Sequence, residues 1–303
     1  MKLVVLSVVF AVLAAMGNAT ASVLQRKAAR RQPEDDSLSV RILWDLAHQP
    51  AWIGGITAIV IGFAFQAAAL ATGPILLIQP ILVVELAFTL LLSGFVFHSR
   101  LRAREWTAVA GMSVGVALLL VAFAPGGGDP RQASVTAWAL GCGVTVAVVG
   151  TLVMLGYRAR HARRAALLGI ATGVWFGFTA ALVAGMTAAF EAGFGEAMRS
   201  WQTWSILVVG PLGFVLLQNA LRAARLVASQ PGLTLANPLS AVGWGVVVFG
   251  EQVRDGAWII AQVGGAALVA ACTVLLARSP LLQGTEGDTE GATEDERDHA
   301  ESR

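Results

Sequence analysis

A glutamate in the middle of an apolar run is the side chain of this sequence best placed to do chemistry. Glu85 lies within residues 73–97, GPILLIQPILVVELAFTLLLSGFVF, where it is the one ionisable group. A charge at the centre of a bilayer costs on the order of 3 kcal/mol, so such a group must face protein or water. Thr89 and Ser93 follow at i+4 and i+8, which extends a polar stripe from Glu85 along one helical face. A carboxylate so placed can bind a proton or a cation; the competing reading is a hydrogen-bonded glutamate that only packs helices. Six residues upstream, Gln79 precedes Pro80, and a proline inside a helix removes one backbone hydrogen bond. A helix break at Pro80 is therefore expected.

The same pattern returns 151 residues later. That shift places Gly62-Phe63 on Gly213-Phe214, Ala69-Leu70 on Ala220-Leu221, Gln79-Pro80 on Gln230-Pro231 and Gly94 on Gly245. A Gln-Pro pair within a hydrophobic run, in register with three other matches, marks an internal repeat. The position matching Glu85 is Ala236, so the two copies are not electrically equivalent. Around it, Gln230, Thr234, Asn237 and Trp244 recur at steps of four, three and seven and share one helix face. Pro231 and Pro238, the other expected helix breaks, free carbonyls that can ligate a cation or a polar solute. Asn18, Gln66 and Gln79 complete the candidate substrate or ion site, and Trp175 is a candidate wall. Amides in membrane helices also simply bond their neighbours, at about 1 kcal/mol or less each. That weighs equally with binding for Asn237 and is preferred for Gln218, Asn219 and Gln262.

The elements that must position these groups are membrane helices. Hydrophobic residues make up 56% of the chain and charged ones 13%, with a mean hydropathy of +0.70, which excludes an ordinary soluble protein. The expected fold is all-α, a polytopic bundle of nine spans near residues 3–24, 51–71, 73–97, 106–124, 135–157, 165–190, 204–222, 227–250 and 257–277. Basic residues divide 15 to 4 between alternate connections, with Arg100, Arg102, Arg104, Arg158, Arg160, Arg163 and Arg164 on the rich side. The positive-inside rule then sets the N-terminus outside and the C-terminus in the cytoplasm of a cell-membrane protein. A rival reading takes the first span as a secretory leader cut after Ala19-Thr20-Ala21.

The repeat accounts for the count. Residues 1–124 form a first four-helix unit with a cytoplasmic segment at 25–50, 135–157 is a linking helix, and 165–277 is a second unit. An odd number of spans separates the two starts, so the units enter the membrane from opposite sides. Within the segment, residues 37–49 carry Leu38, Ile42 and Leu46 at helical spacing for an interfacial helix. Residues 278–303 are acidic and are expected to be a disordered cytoplasmic tail. Gly169, Gly173, Gly177, Ala181 and Gly185, and Gly111 with Gly115, form small-residue strips suited to close helix contact. Cys142 and Cys272 have neither disulfide nor metal spacing.

Two stretches carry a family resemblance. ALATGPILLIQPILVVELAFTLLLSG with the later EWTAVAGMSVGVALLL, and QPGLTLANPLSAVGWGVVVFGEQV with its Gly250-Glu251 turn, resemble the drug/metabolite transporter superfamily, EamA-like branch. The resemblance is strongest over residues 51–124 and 203–277 and implies a secondary transporter. Common members have ten spans; nine with an outside N-terminus look more like the NIPA-type branch, associated with magnesium transport, or an actinobacterial-type offshoot. The leading expectation is alternating-access movement of a small metabolite, drug-like solute or cation, proton-coupled through Glu85. The alternatives are NIPA-like divalent-cation transport, with Glu85 as the metal-facing group, and a non-transporting scaffold or sensor. An intramembrane protease needs a mid-span histidine or two mid-span acids, so the chain does not read as an enzyme. No cofactor and no nucleic-acid partner is expected; the partners are the bilayer and the solute, and the chain is a monomer or a homodimer.

Overall fold

A computed structural model describes residues 2–29, 49–97, 101–124, 128–223, 226–277 and 279. Every regular element among them is a helix: α1 Lys2–Ala29, α2 Pro50–Thr72, α3 Ile75–Leu82, α4 Glu85–Val96, α5 Ala103–Phe123 and α6 Val135–Arg158. The chain continues with α7 His161–Ala192, α8 Phe194–Arg199, α9 Trp201–Ala223, α10 Leu226–Val247 and α11 Trp258–Ala277. Among the described residues, eight helical segments are long and apolar enough to cross a membrane, with α3 and α4 counted as one. This is the architecture of a multi-pass helical bundle. The ninth expected span, 227–250, is a helix of 22 residues, α10, outside those eight.

The outside of the bundle has the chemistry of a lipid-facing surface. Leu140, Val144, Leu207, Val208, Ile260 and Val263 are 61% to 78% exposed, a density of bare aliphatic groups that water does not tolerate. Exposed aromatic rings mark the helix ends: Trp106 on α5, Tyr157 on α6, Trp204 on α9 and Trp258 on α11. Such rings prefer the headgroup level. The Arg254 guanidinium lies over the Trp258 ring at 4.7 Å and that of Arg164 over Tyr157 at 4.8 Å.

Inside lipid, helices gain little by hiding apolar surface and associate through close contact of small residues. Three glycine seams do this here. A Cβ on Gly17 of α1 would lie 2.9 Å from the Gly62 Cα of α2, so the two helices cross almost backbone to backbone. On α7, a Cβ on Gly173 or Gly177 would lie 2.6–2.7 Å from the Leu233 or Asn237 carbonyl oxygen of α10. On α5, Gly111 meets the Cys272 thiol and Gly115 meets Val269 of α11. The glycine strips read from the sequence on α5 and α7 are thus contact surfaces. Beyond the seams, α1 packs on α2, α3 and α4, α7 on α6, α9 and α10, and α3 touches α10.

Several expectations need correction. None of the three prolines breaks its helix where expected: α3 runs through Pro80 to Leu82, and α10 runs unbroken through Pro231 and Pro238. Each removes one N–H, but packing along the α7 seam holds α10 in register across both. The interruption in the third span falls later, at Val83-Val84, where the backbone stays right-handed (φ −61°, ψ −25° and φ −63°, ψ −15°). It is a tightened turn: the Val84 amide donates to the Ile81 carbonyl at 3.0 Å and the Leu86 amide to that of Val83 at 3.2 Å. The first helix extends past residue 24 to Ala29, into the basic run, and α8 is an added short helix. The interfacial helix at 37–49, save Gln49, and the tail at 278–303, save Ser279, lie outside the described residues.

The seams make a direct prediction. Gly115→Val adds bulk where a Cβ already meets Val269 at 2.8 Å, and should cost about 1–3 kcal/mol. Gly143→Ala, with nothing within 4 Å, should be neutral. Thermal unfolding of the detergent-solubilised protein separates the two.

Candidate functional site

The Gly17–Gly62 crossing fixes α1 tightly against α2 and so fixes the next residue, Asn18. The tightened turn at Val83-Val84 makes Glu85 the first residue of α4. These two helices meet, and Asn18 Nδ2 donates to Glu85 Oε2 at 3.2 Å. Both side chains are partly buried. An amide is the partner such a carboxylate needs: it supplies a donor without cancelling the charge. Asn18, a further candidate in the sequence alongside Gln66 and Gln79, is thus the direct neighbour of Glu85.

The remaining candidates separate into groups. Thr89 is buried, but its hydroxyl donates to the Glu85 backbone carbonyl at 2.8 Å, so it is spent on its own helix. Ser93 is 1% exposed and its Oγ has no partner among the described residues. Gln79, on buried α3, is also 1% exposed and its Nε2 has no partner among the described residues. On α10, Asn237 is partly buried with an Oδ1 that likewise has none among them, and Thr234 is partly buried beside it. Buried polar atoms are normally satisfied, so three such atoms on α3, α4 and α10 leave hydrogen-bonding capacity open inside the bundle. Gln66 is partly buried on α2. The side chains of Gln230 and Pro231 lie outside the description.

Trp244 belongs elsewhere. It is 5% exposed and packs on Phe178 (ring centroids 5.3 Å) and Trp138 (5.3 Å), which in turn meets Phe249 (5.5 Å) and Trp201 (5.1 Å). It is a core ring of an aromatic cluster and has no free face to offer a polar solute. Trp175 donates its indole N–H to the Val209 carbonyl of α9 at 2.8 Å, which ties α7 to α9.

Two carboxylates that sequence spacing did not single out hold backbone. Glu251 follows α10, where Gly250 takes the left-handed φ of +70° and the Glu251 amide returns to the Gly245 carbonyl at 2.9 Å. This turns the side chain onto the start of α3. Its Oε1 accepts from the Ile75 amide at 2.8 Å and its Oε2 from the Leu76 amide at 2.9 Å. Pro74, the preceding residue, has no side-chain donor or acceptor, so Glu251 supplies the cap from 175 residues away. Burial pushes the Glu251 carboxyl above the ordinary carboxylate range, against the pull of the Leu76 and Ile75 amides. At the start of α5, Glu105 accepts from the Arg102 amide at 2.8 Å and pairs with the Ser279 hydroxyl, a residue beyond α11. The sequence cue for Glu105 was its position three residues after Arg102, the residue that precedes α5; for Glu251 it was only the Gly-Glu turn.

Around Glu251 lies a cavity of about 300 Å³, lined by Asp129, Arg131 and Glu191 among others. Arg131 forms an ion pair with Glu191 and donates to the Ala188 carbonyl at 2.8 Å. A second cavity of about 610 Å³ adjoins it at Pro130 and Arg131 and is mainly apolar, with Trp138, Cys142 and Trp201 in its wall. Among the described residues, no group of three or more His, Cys, Asp or Glu could hold a metal ion.

An uncharacterised protein of Corynebacterium glutamicum is 30% identical over 279 residues, which cover 90% of this chain and 95% of that one. The chain belongs to that protein's family. The match runs across nearly all of both chains and so is not confined to one segment. No family model matches the sequence, and no solved structure matches it.

The Asn18–Glu85 contact is open to a double-mutant cycle. Asn18→Ala and Glu85→Ala, each of which removes one partner of the hydrogen bond, singly and together should show a coupling of about 0.6–1.7 kcal/mol in reversible unfolding, the range for hydrogen bonds between membrane helices. Additive losses would remove the contact.

Proposed function

We propose that this protein is a secondary transporter that moves a small polar or amphipathic solute, or a cation, by alternating access, with Glu85 as the proton- or cation-binding group. The observation that carries the proposal is the Asn18–Glu85 pair, a carboxylate held by an amide at the tightened turn of a helix inside an apolar bundle. A packing role for Glu85 would be met equally well by a neutral glutamine. A carboxylate retained among apolar helices is a functional group by default. Gln79 Nε2 and Asn237 Oδ1, without partners among the described residues, add sites that a polar solute can satisfy.

The packing pattern supports a nine-span, inverted-repeat arrangement of the drug/metabolite transporter kind. In the first unit α1 contacts α2 and the α3–α4 span; in the second α7 contacts α9 and α10, the helices at the corresponding positions. Of the contacts between units, α5 with α11 and α3 with α10 join helices that correspond to each other, as a two-fold relation would; α2 with α7 joins helices that do not. On this reading the basic connections face the cytoplasm, with the N-terminus outside and the C-terminus inside, as the positive-inside rule favours. NIPA-like movement of a divalent cation is the second reading. It would use Glu85 as the metal-facing group, since in the smaller cavity Glu191 is paired with Arg131 and Glu251 holds the α3 amides. Such an ion would cross with part of its water, since Mg²⁺ binds through few carboxylates and keeps several waters.

The test is uptake by the purified protein in liposomes, with Mg²⁺ and a panel of metabolites, with and without a pH gradient. Glu85→Gln should abolish transport or uncouple it from the gradient while the protein stays folded. Wild-type rates in that variant would take Glu85 out of the site.

A further inference from the structure

At the start of α3 a single side chain, Glu251, reaches from one half of the sequence to the other. The loop after α10 and the start of α11 are anchored to α5: the Arg254 amide donates to the Phe123 carbonyl at 3.4 Å, Arg254 Nη1 to that of Val121 at 3.2 Å, and Gln262 Nε2 of α11 to that of Ala122 at 3.2 Å. The loop before α6 is anchored to α7 through Arg131, which pairs with Glu191 and the Ala188 carbonyl. The two loops join where the Asp129 amide donates to the Phe249 carbonyl at 3.2 Å. Gly128, with φ +76°, lies so close that a Cβ would be 2.8 Å from the Glu251 Cα. From this anchored platform Glu251 takes hold of the Ile75 and Leu76 amides.

What it holds is a short lever. Helix α3 has eight residues and ends at the tightened turn of Val83-Val84, directly before Glu85. We infer that the grip of Glu251 on the first two amides of α3 is a gate of the transport pathway, closed while both hydrogen bonds stand and open when α3 swings away about Val83-Val84. The inference rests on the transport reading and adds a moving part to it. The cavity of about 300 Å³ lies on the loop side of this grip and has Ile75 in its wall, so solute arriving there meets the gate before anything deeper. The grip is also releasable. Burial acts on Glu251 more strongly than the two amides do, so the carboxylate gains hydration when it lets go. A purely structural cap would gain from being dry and permanent.

The test reads the gate without any solute. Ile78 is fully buried one helical step behind Ile75 on the same face. In a chain carrying Ile78→Cys and Cys142→Ala, a membrane-impermeant maleimide applied from the Glu251 side should react slowly. Adding Glu251→Gln sets an amide N–H against one backbone N–H, and should raise the labelling rate of Cys at 78 at least tenfold. Glu251→Asp, which keeps the charge on a shorter arm, should fall between. The natural Cys272, 6% exposed in the α5–α11 seam, is the internal control and should stay unreactive throughout. Unchanged labelling at 78 in Glu251→Gln would overturn the gate, as would labelling of Cys272 in step with it, because the residue would then be a cap whose loss opens the whole bundle. Since the labelling needs no transport, the gate can fail while liposome uptake succeeds, and uptake can fail while the gate holds.

Discussion

Backbone-to-backbone contact at glycine seams is the constraint on which the rest of this structure depends. With lipid on the outside, the drive to hide apolar surface that assembles soluble proteins is weak between helices, and dispersion at short range has to replace it. Gly17 against Gly62, Gly173 and Gly177 against α10, and Gly111 and Gly115 against α11 each bring two helices to the shortest distance that side chains permit. The polar geometry follows from these crossings. Asn18 reaches Glu85 because its neighbour Gly17 lets α1 settle onto α2, and Asn237 lies in the bundle because α10 is seated on the glycines of α7.

The polar groups divide by the work they do. Glu105 and Glu251 hold helix starts, at positions where four amides have no partner of their own. Thr89 and Trp175 are satisfied by backbone carbonyls and are structural. Glu85, Gln79 and Asn237 are different: each keeps capacity or charge that the described protein atoms do not exhaust. A bundle that needed these groups only for stability would be better served by apolar residues of the same size.

Much of this is legible in the amino-acid sequence. Apolar runs of about 20 residues announce membrane helices because lipid admits little else, and the glycine strips on α5 and α7 announce contact faces for the same reason. Glu85 stood out because a charge in such a run is expensive. Its partner did not, since nothing in the sequence says that residue 18 and residue 85 meet; that depends on a crossing between α1 and α2. The prolines misled for a related reason. A proline costs one hydrogen bond locally, but whether the helix breaks is decided by what packs around it, and α10 is held along a whole seam. Trp244 shared a face with Asn237 by spacing, yet an aromatic cluster drawn from α6, α7 and α9 claimed it. Glu251 was invisible as a cap because its acceptors bind amides 175 and 176 residues away.

The pairing of α5 with α11 bears on how the protein is made. Ribosomes deliver about 5–20 residues each second, and roughly 135 residues separate the end of α5 from the start of α11, so α5 waits on the order of ten seconds for its partner. During that interval its glycine face is inserted but unmatched, and any other small-residue strip that emerges earlier, such as that of α7, competes for it. The correct partner is also the last of the described helices to arrive. Biogenesis of this fold therefore asks that α5 be kept apart from its neighbours until α11 has been made, a demand that falls on the insertion machinery and not on the finished structure.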